Sequence, residues 1–212
     1  LKGMKVAIAA VGTGNAATLN EALKKAGLKF SDVTTIDLGF PDHLIAYQNK
    51  AIDAGVTNEP TATLAIRAGV AVKSAGNEEL FSNHQTAVLL YADAFAKDRP
   101  EAATKFMRAF LRGVRDYNDS LVDGRIAGKG ADDVIATLVQ YTDIKDAALH
   151  RETVPAACNP DGFVDLQSLE GDLAFFKEMK LIEKVDITST DVVDHSFAKK
   201  VVEDLGPYKA AR

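Results

Sequence analysis

The sequence predicts an α/β protein with an open parallel sheet in its first part and mostly helix after it. Short β-branched or apolar runs alternate with helical patterns through the first 85 or so residues. Several of the connecting turns lead directly into a helix, at Gly12-Thr13-Gly14-Asn15, Pro41 and Pro60. Beyond Tyr91 the alternation gives way to long 3.6-residue periodicities. A β-α-β-α-β-α-β order needs crossover helices, and these cover a parallel sheet on both faces.

Each element follows from its residues. Val6–Val11 is the first apolar run. Ala16–Ala26 is predicted helical, with Leu19 and Leu23 on one face and Gly27 at its C′ position. Val33–Leu38 is a β-branched strand, and Pro41–Ala51 is a helix with proline at its first position and Leu44, Ile45 and Tyr47 packing. Ala54–Thr57 is a strand and Pro60–Ala68 a helix. Val70–Val72 and Thr86–Tyr91 are two further predicted strands. Pro100–Ser120 is a long helix whose stripe Phe106, Phe110, Gly113 or Val114, and Tyr117 reads as core. Gly124–Gly130 is a glycine-rich loop, and helices are predicted over Asp132–Tyr141 and Lys145–Glu152. Asp165–Met179 is amphipathic through Leu166, Leu169, Leu173 and Phe176. Asp194 caps a last helix that ends at Gly206-Pro207. The division expected is an α/β part over 1–88 and a largely helical part over 89–212.

Composition excludes several classes. The 212 residues are 47% hydrophobic and 26% charged, which is incompatible with wholesale disorder. The net charge is −5 and there is no basic patch, so no nucleic-acid partner is expected. The apolar stretches are well short of a membrane span, so no direct membrane insertion is expected. The single cysteine, Cys158, excludes an intrachain disulfide and a cysteine metal cage. His43, His84, His150 and His195 are scattered without an H-x-x-x-H pair, so no metal site is predicted, and there is no G-x-S-x-G elbow. The chain begins at Leu1 rather than methionine, and residues 1–20 lack the basic-then-apolar pattern of a signal peptide.

Candidate chemistry gathers at strand ends. Gly12-Thr13-Gly14-Asn15-Ala16-Ala17 has the form G-x-G-x-x-A between a strand and a helix, and Asp37 closes the next strand. Three readings stay open for this turn. Free N–H groups and a helix dipole can bind a small anion, with the Thr13 hydroxyl as a further donor. The turn can be purely structural. It can also cradle a dinucleotide, with Gly12, Gly14, Ala17 and Asp37 in an oxidoreductase. Asn58, Glu59, Asp42 and His43 follow other strands and belong to the same edge, where ligands of open α/β sheets bind. For Asp42 and Glu59 the bland alternative is favourable charge in a first helical turn. Gly124–Gly130 superficially matches a P-loop, but the glycine spacing is one residue short and no Ser or Thr follows Lys129.

Several segments together resemble a known family. They are Leu1–Ala7, the glycine-rich turn with its helix ending Lys25-Ala26-Gly27-Leu28, Asp32-Val33, Leu38-Gly39, Ala51-Ile52-Asp53-Ala54 and Glu59-Pro60. Arg99-Pro100-Glu101-Ala102, Asp165–Ile182 and Val193–Gly206 extend the match over nearly the whole chain. They are similar to ABC-transporter solute-binding proteins of the nitrate/sulfonate/taurine group, relatives of thiamine-pyrimidine-precursor binding proteins. The resemblance implies a type II periplasmic-binding fold, in which two lobes close on a ligand held in the cleft between them. It implies a periplasmic location, a small-molecule ligand, a membrane permease as partner, no cofactor and no catalysis. Ligand contacts carry over to Gly12, Thr13, Gly14 and Asn15 and to the Glu59 region.

Three departures from the family pattern stand out. Asn58 occupies a position where an aromatic residue is common. Lys180 stands where a helix-ending glycine is usual, so left-handed strain is expected there. The family also has a further first-lobe segment before the one that begins this chain. Residues 1–88 would then be the second lobe, left through a hinge strand at Gln85–Tyr91, with its counterpart just before Leu1. Phe106, Phe110, Leu169, Leu173 and Phe176 would be partly uncovered, or covered by more polypeptide. A pyrimidine synthase on this fold would need a cysteine-rich iron motif, and a regulator's effector lobe would need a helix-turn-helix segment; neither is present.

Overall fold

The computed structural model describes residues 1–81 and 83–210. In chain order the elements are β1 (Lys5–Ile8), α1 (Gly14–Lys25), β2 (Thr34–Asp37), α2 (Phe40–Gln48), β3 (Ala54–Gly55), α3 (Thr61–Arg67), α4 (Asn77–Leu80) and α5 (Asp93–Asp98). They continue with α6 (Pro100–Asp119), β4 (Leu121–Val122), β5 (Arg125–Ile126), α7 (Ala131–Tyr141), α8 (Ala147–Glu152), α9 (Leu166–Glu178), α10 (Ser189–Val192) and α11 (Ser196–Leu205). Two compact units result. One combines 1–87 with 165–192, and the other combines 88–164 with 193–212. The helices α9 and α10 belong to the first unit although they follow α8 in the chain.

The first unit is a parallel sheet in the order β2-β1-β3, with Lys5–Ile8 in register with Thr34–Asp37, and Val6 and Ala7 beside Ala54 and Gly55. Alternation along β1 builds three layers. Val6 and Ile8 face one way, into a core with Ala16, Ala17, Leu19 and Leu23 of α1 and Phe175 of α9. Ala7 faces the other way, onto Ala46 of α2 and Ile52. All of β1 after Lys5 is therefore buried, as its unbroken apolar run requires. Gly27 closes α1 with φ +70.

The predicted strands at Val70–Val72 and Thr86–Tyr91 do not form. Both have strand-like composition, but a strand exists only where its N–H and C=O groups find a ladder partner. Val72 is 89% exposed and Leu90 82%. The helix over 165–179 forms with a different buried face. Ser168, Asp172 and Phe175 turn inward, while the expected Leu169, Leu173 and Phe176 are half-buried. The Asp165 carboxylate caps α9 by accepting from the Ser168 N–H at 2.9 Å.

The second unit is mostly helical. Ala103, Thr104, Leu111 and Val114 form the buried stripe of α6, with Ala198 and Val201 buried on α11. Phe106 is 50% exposed and Phe110 is also exposed, so the expectation that this stripe is core is corrected. Phe106 instead packs edge-on against Tyr91, at a centroid distance of 6.1 Å. The loop expected at Gly124–Gly130 is partly a hairpin. Asp123 (φ +49) and Gly124 (φ +75) form the two-residue turn between β4 and β5, with both central residues left-handed. Ala127 and Gly128 then donate to the Ser120 carbonyl. No helix is long and apolar enough to cross a membrane among the described residues.

Candidate functional site

The C-terminal edge of the three-stranded sheet brings two loops together. One runs from β1 into α1, the other from β3 into α3. In the order β2-β1-β3 the parallel strands β1 and β3 are neighbours, so their C-terminal ends lie side by side. The Asn15 carboxamide donates to Asn58 Oδ1, at 3.4 Å, and so joins the two loops.

The first loop is a compact turn. Gly12 has φ +91, a conformation that a side chain disfavours. Thr13 is the N-cap of α1, and its carbonyl accepts from Ala16 N at 3.0 Å and Ala17 N at 3.2 Å. Its hydroxyl donates to the Ala10 carbonyl at 2.7 Å and makes no cap bond. The one proton of the Thr13 hydroxyl, expected as a further donor to an anion, is committed inside the turn. The N–H groups of Gly14 and Asn15 precede the first intrahelical acceptors and donate to none of the described residues. What the turn offers is therefore backbone donors at the positive end of a twelve-residue helix.

The second loop is held from beneath. His43 is fully buried, with Nδ1 3.0 Å from Thr57 Oγ1 and Nε2 3.2 Å from the Leu38 carbonyl. A carbonyl only accepts, so Nε2 carries the proton and Nδ1 accepts from the Thr57 hydroxyl. Tyr47 Oη lies 3.0 Å from the same Thr57 oxygen. Burial holds the His43 imidazole below its ordinary pKa of 6.5, opposed by the Leu38 carbonyl and the Asp42 charge. His43 is therefore a neutral core residue that places Thr57, and with it Asn58 and Glu59. Both ring nitrogens of His43, expected among the ligand contacts, are engaged inside the fold. Nothing in the sequence around Tyr47 and Thr57 signalled this support.

Of the remaining expected residues, Asn58 is exposed beside the turn, and Glu59 is half-buried with Oε2 accepting from Thr63 N at 3.1 Å. Asp42 is exposed in the first turn of α2, and its N–H donates to the Gly39 carbonyl. Among the described residues, no hydrogen bond joins Asp42 to the turn or to Asn58. Asp37 is exposed at the end of β2, in register with Ile8. Among the described residues, no cluster of His, Cys, Asp and Glu is placed to hold a metal ion. Cys158 is exposed, and partial burial raises its thiol pKa.

Two buried residues escaped the sequence reading. The His84 side chain is 0% exposed and its Nε2 lies 3.1 Å from both oxygens of Asp172, which is 8% exposed. The two are 88 positions apart, so no local pattern could pair them. A Cβ added at Gly14 would lie 3.3 Å from His84 Cε1.

This architecture recurs in solved structures. The ligand-binding component of an ABC-type import system from Staphylococcus aureus, with zinc bound, superposes with a TM-score of 0.73 at 10% identity, over 95% of this chain and 64% of that one. The periplasmic aliphatic sulphonate binding protein of Escherichia coli gives 0.61 at 23% identity, over 87% and 56%. A periplasmic sulfonate-binding protein of a putative sulfonate ABC transporter from Methylobacillus flagellatus gives 0.60 at 14%, over 100% and 64%. The chain thus spans less than two thirds of each of these, and the likeness establishes a periplasmic-binding-protein fold. No curated protein matches the chain. The family model described as NMT1/THI5 like matches residues 1–120, more than half of the sequence, and the chain belongs to that family.

Proposed function

We propose that this protein is the substrate-binding component of an ABC importer, which captures a small anionic solute at the Gly12–Asn15 turn and delivers it to a membrane permease. The observation that carries this reading is the pair of unengaged N–H groups on Gly14 and Asn15, set on the same sheet edge as Asn58. A helix N-terminus carries about half a unit of positive charge, and hydrogen bonds to an anion contribute about 1.5–3 kcal/mol each. The Asn15 and Asn58 carboxamides supply donors or acceptors for the solute's polar edge. The Glu59 carboxylate disfavours a second negative charge at that end, so a monoanion suits the site better than a dianion. The reading assigns no catalysis and no cofactor, and it places the protein in the periplasm. The names of the neighbouring structures support a sulfonate as the first solute to try.

The test is calorimetry with methanesulfonate and nitrate. Saturable binding is expected, weakened about tenfold or more in Asn15→Ala and in Asn58→Ala, on the scale of one hydrogen bond to a charged group. Thr13→Ala is expected to matter less, since its hydroxyl proton serves Ala10. Equal affinity in wild type and both asparagine variants refutes the site. Saturable NAD binding that disappears in Asp37→Ala refutes the whole reading.

A further inference from the structure

We infer that His84 and Asp172 are positioning residues for the Gly12–Asn15 turn, fixing where the free N–H groups of Gly14 and Asn15 point. The inference rests on the proposed binding role of that turn. It starts from a buried ring held on every side. Asp172 accepts from His84 Nε2, Thr18 Oγ1 lies 3.1 Å from Nδ1, and Phe81 stacks on the ring at 4.1 Å with an interplanar angle of 8°. A carboxylate offers no proton, so Nε2–H is the donor to Asp172. The same ring forms the wall behind the first residue of α1. A Cβ at Gly14 would be 3.3 Å from Cε1 and 3.7 Å from Nε2, with the Thr86 carbonyl at 3.6 Å. Thr18 lies one helical turn further on. The start of α1 is thus held by a hydrogen bond at Thr18, and the ring leaves little room for a side chain at Gly14.

The chain just after His84 is fastened to the same helix as Asp172. Gln85 N donates to Ser168 Oγ at 2.7 Å, and Gln85 Oε1 accepts from Asp165 N at 3.0 Å. The Gln85 carboxamide nitrogen donates to the Ala87 carbonyl at 2.6 Å. Segment 84–87, the start of α1 and the start of α9 form one hydrogen-bonded assembly. Apolar side chains of similar volume would bury here at no desolvation cost, and a buried ionisable pair is weak support for stability alone. Direction is what the polar pair adds, since bonds on both sides stop the ring from turning.

The test compares three variants of the full chain. Asp172→Asn keeps shape and removes charge, Thr18→Val keeps shape and removes the hydroxyl, and Phe175→Leu perturbs the apolar contacts of the same helix. Each is followed by amide NMR of Gly14 and Asn15 and by calorimetry with methanesulfonate. Asp172→Asn is expected to displace both resonances and weaken binding about tenfold. Thr18→Val should do the same to a smaller degree. Phe175→Leu should lower stability and leave resonances and affinity in place, which separates positioning from plain structural support. Folded Asp172→Asn with unmoved resonances overturns the inference, as does Phe175→Leu moving them equally. If Asp172→Asn does not fold, Thr18→Val decides by the same two readouts. If the wild type does not bind methanesulfonate, the proposed function fails for that solute and the amide resonances alone decide the positioning role.

Discussion

The two units bury their apolar side chains by different means. In the unit of 1–87 and 165–192, β1 lies between two strands and under helices on both faces, so consecutive residues all find cover. In the unit of 88–164 and 193–212, helices carry most of the apolar side chains, and the strands are a two-stranded hairpin. The long helix α6 buries one stripe. Leu111 and Val114 of α6 are inside, whereas Phe106 and Phe110, on the neighbouring stripe, remain exposed along with Val88, Leu89 and Leu90. The difference shows that apolar content alone does not predict burial. A sheet strand between two layers covers every residue, and a helix covers only the face another element meets.

The largest expected effect tests that contrast directly. Leu23 is fully buried in α1, and Leu23→Ala should cost about 2–5 kcal/mol of stability, whereas Phe106→Ala should cost about 1 kcal/mol or less. Urea-unfolding midpoints measure both, and equal losses would erase the contrast. Next come two glycines, one in each unit. A Cβ at Gly162 would lie 2.7 Å from Leu111 Cδ2, at φ +73. A Cβ at Gly55 would lie 2.6 Å from Tyr47 Oη and 3.3 Å from the Ala7 carbonyl. Overpacking costs about 1–3 kcal/mol in each alanine variant, and left-handed backbone adds about 1–2 kcal/mol at Gly162. Gly162→Ala is therefore the more damaging, and the reverse order of thermal midpoints would show that the helical unit yields more readily than the sheet.

A pH experiment sharpens the contrast within the sheet unit. The buried imidazole of His43 resists protonation in the fold, so below its ordinary pKa of 6.5 the unfolded chain binds more protons. Stability from this group is complete above that value and declines as pH falls through it, by at most about 1.4 kcal/mol per pH unit. Urea midpoints from pH 7.5 to 5 should fall more steeply for wild type than for His43→Gln. Parallel slopes would remove His43 from the acid sensitivity. The smallest effect concerns Lys180, which ends α9 with φ +58, as the departure from the usual glycine predicts. Lys180→Gly should stabilise by about 0.5 kcal/mol, the left-handed cost less the added chain freedom of glycine. A loss of stability would mean that the lysine side chain contributes more than its backbone strain costs.

Much of the fold was legible because its signals are local. Val6–Val11, the turn at Gly12–Asn15, Gly27 and Pro41 mark elements that the structure reproduces within a few residues. The hairpin was legible as well, since Leu121-Val122-Asp123-Gly124-Arg125-Ile126 is an Asp-Gly turn between β-prone pairs, and placing the loop at Gly124 overlooked it. The polar face of α9 was misread for a physical reason. Helical periodicity assigns polar residues to solvent, but Ser168 and Asp172 are buried because Gln85 and His84 supply their hydrogen bonds.

What the sequence by itself determined is the alternation that makes a parallel sheet, the turn that frees two N–H groups at a helix start, and the family to which the chain belongs. These depend on neighbours within a few positions, where spacing and backbone preference act directly. Only the tertiary structure decided that Thr13's hydroxyl is spent inside the turn, that His43 is buried with both ring nitrogens bonded, and that His84 finds Asp172 from 88 positions away. It also decided that Thr86–Tyr91 stays unpaired despite its composition. Each outcome depends on which distant group supplies a hydrogen-bond partner or covers a face, and residue type along the chain does not encode that distance.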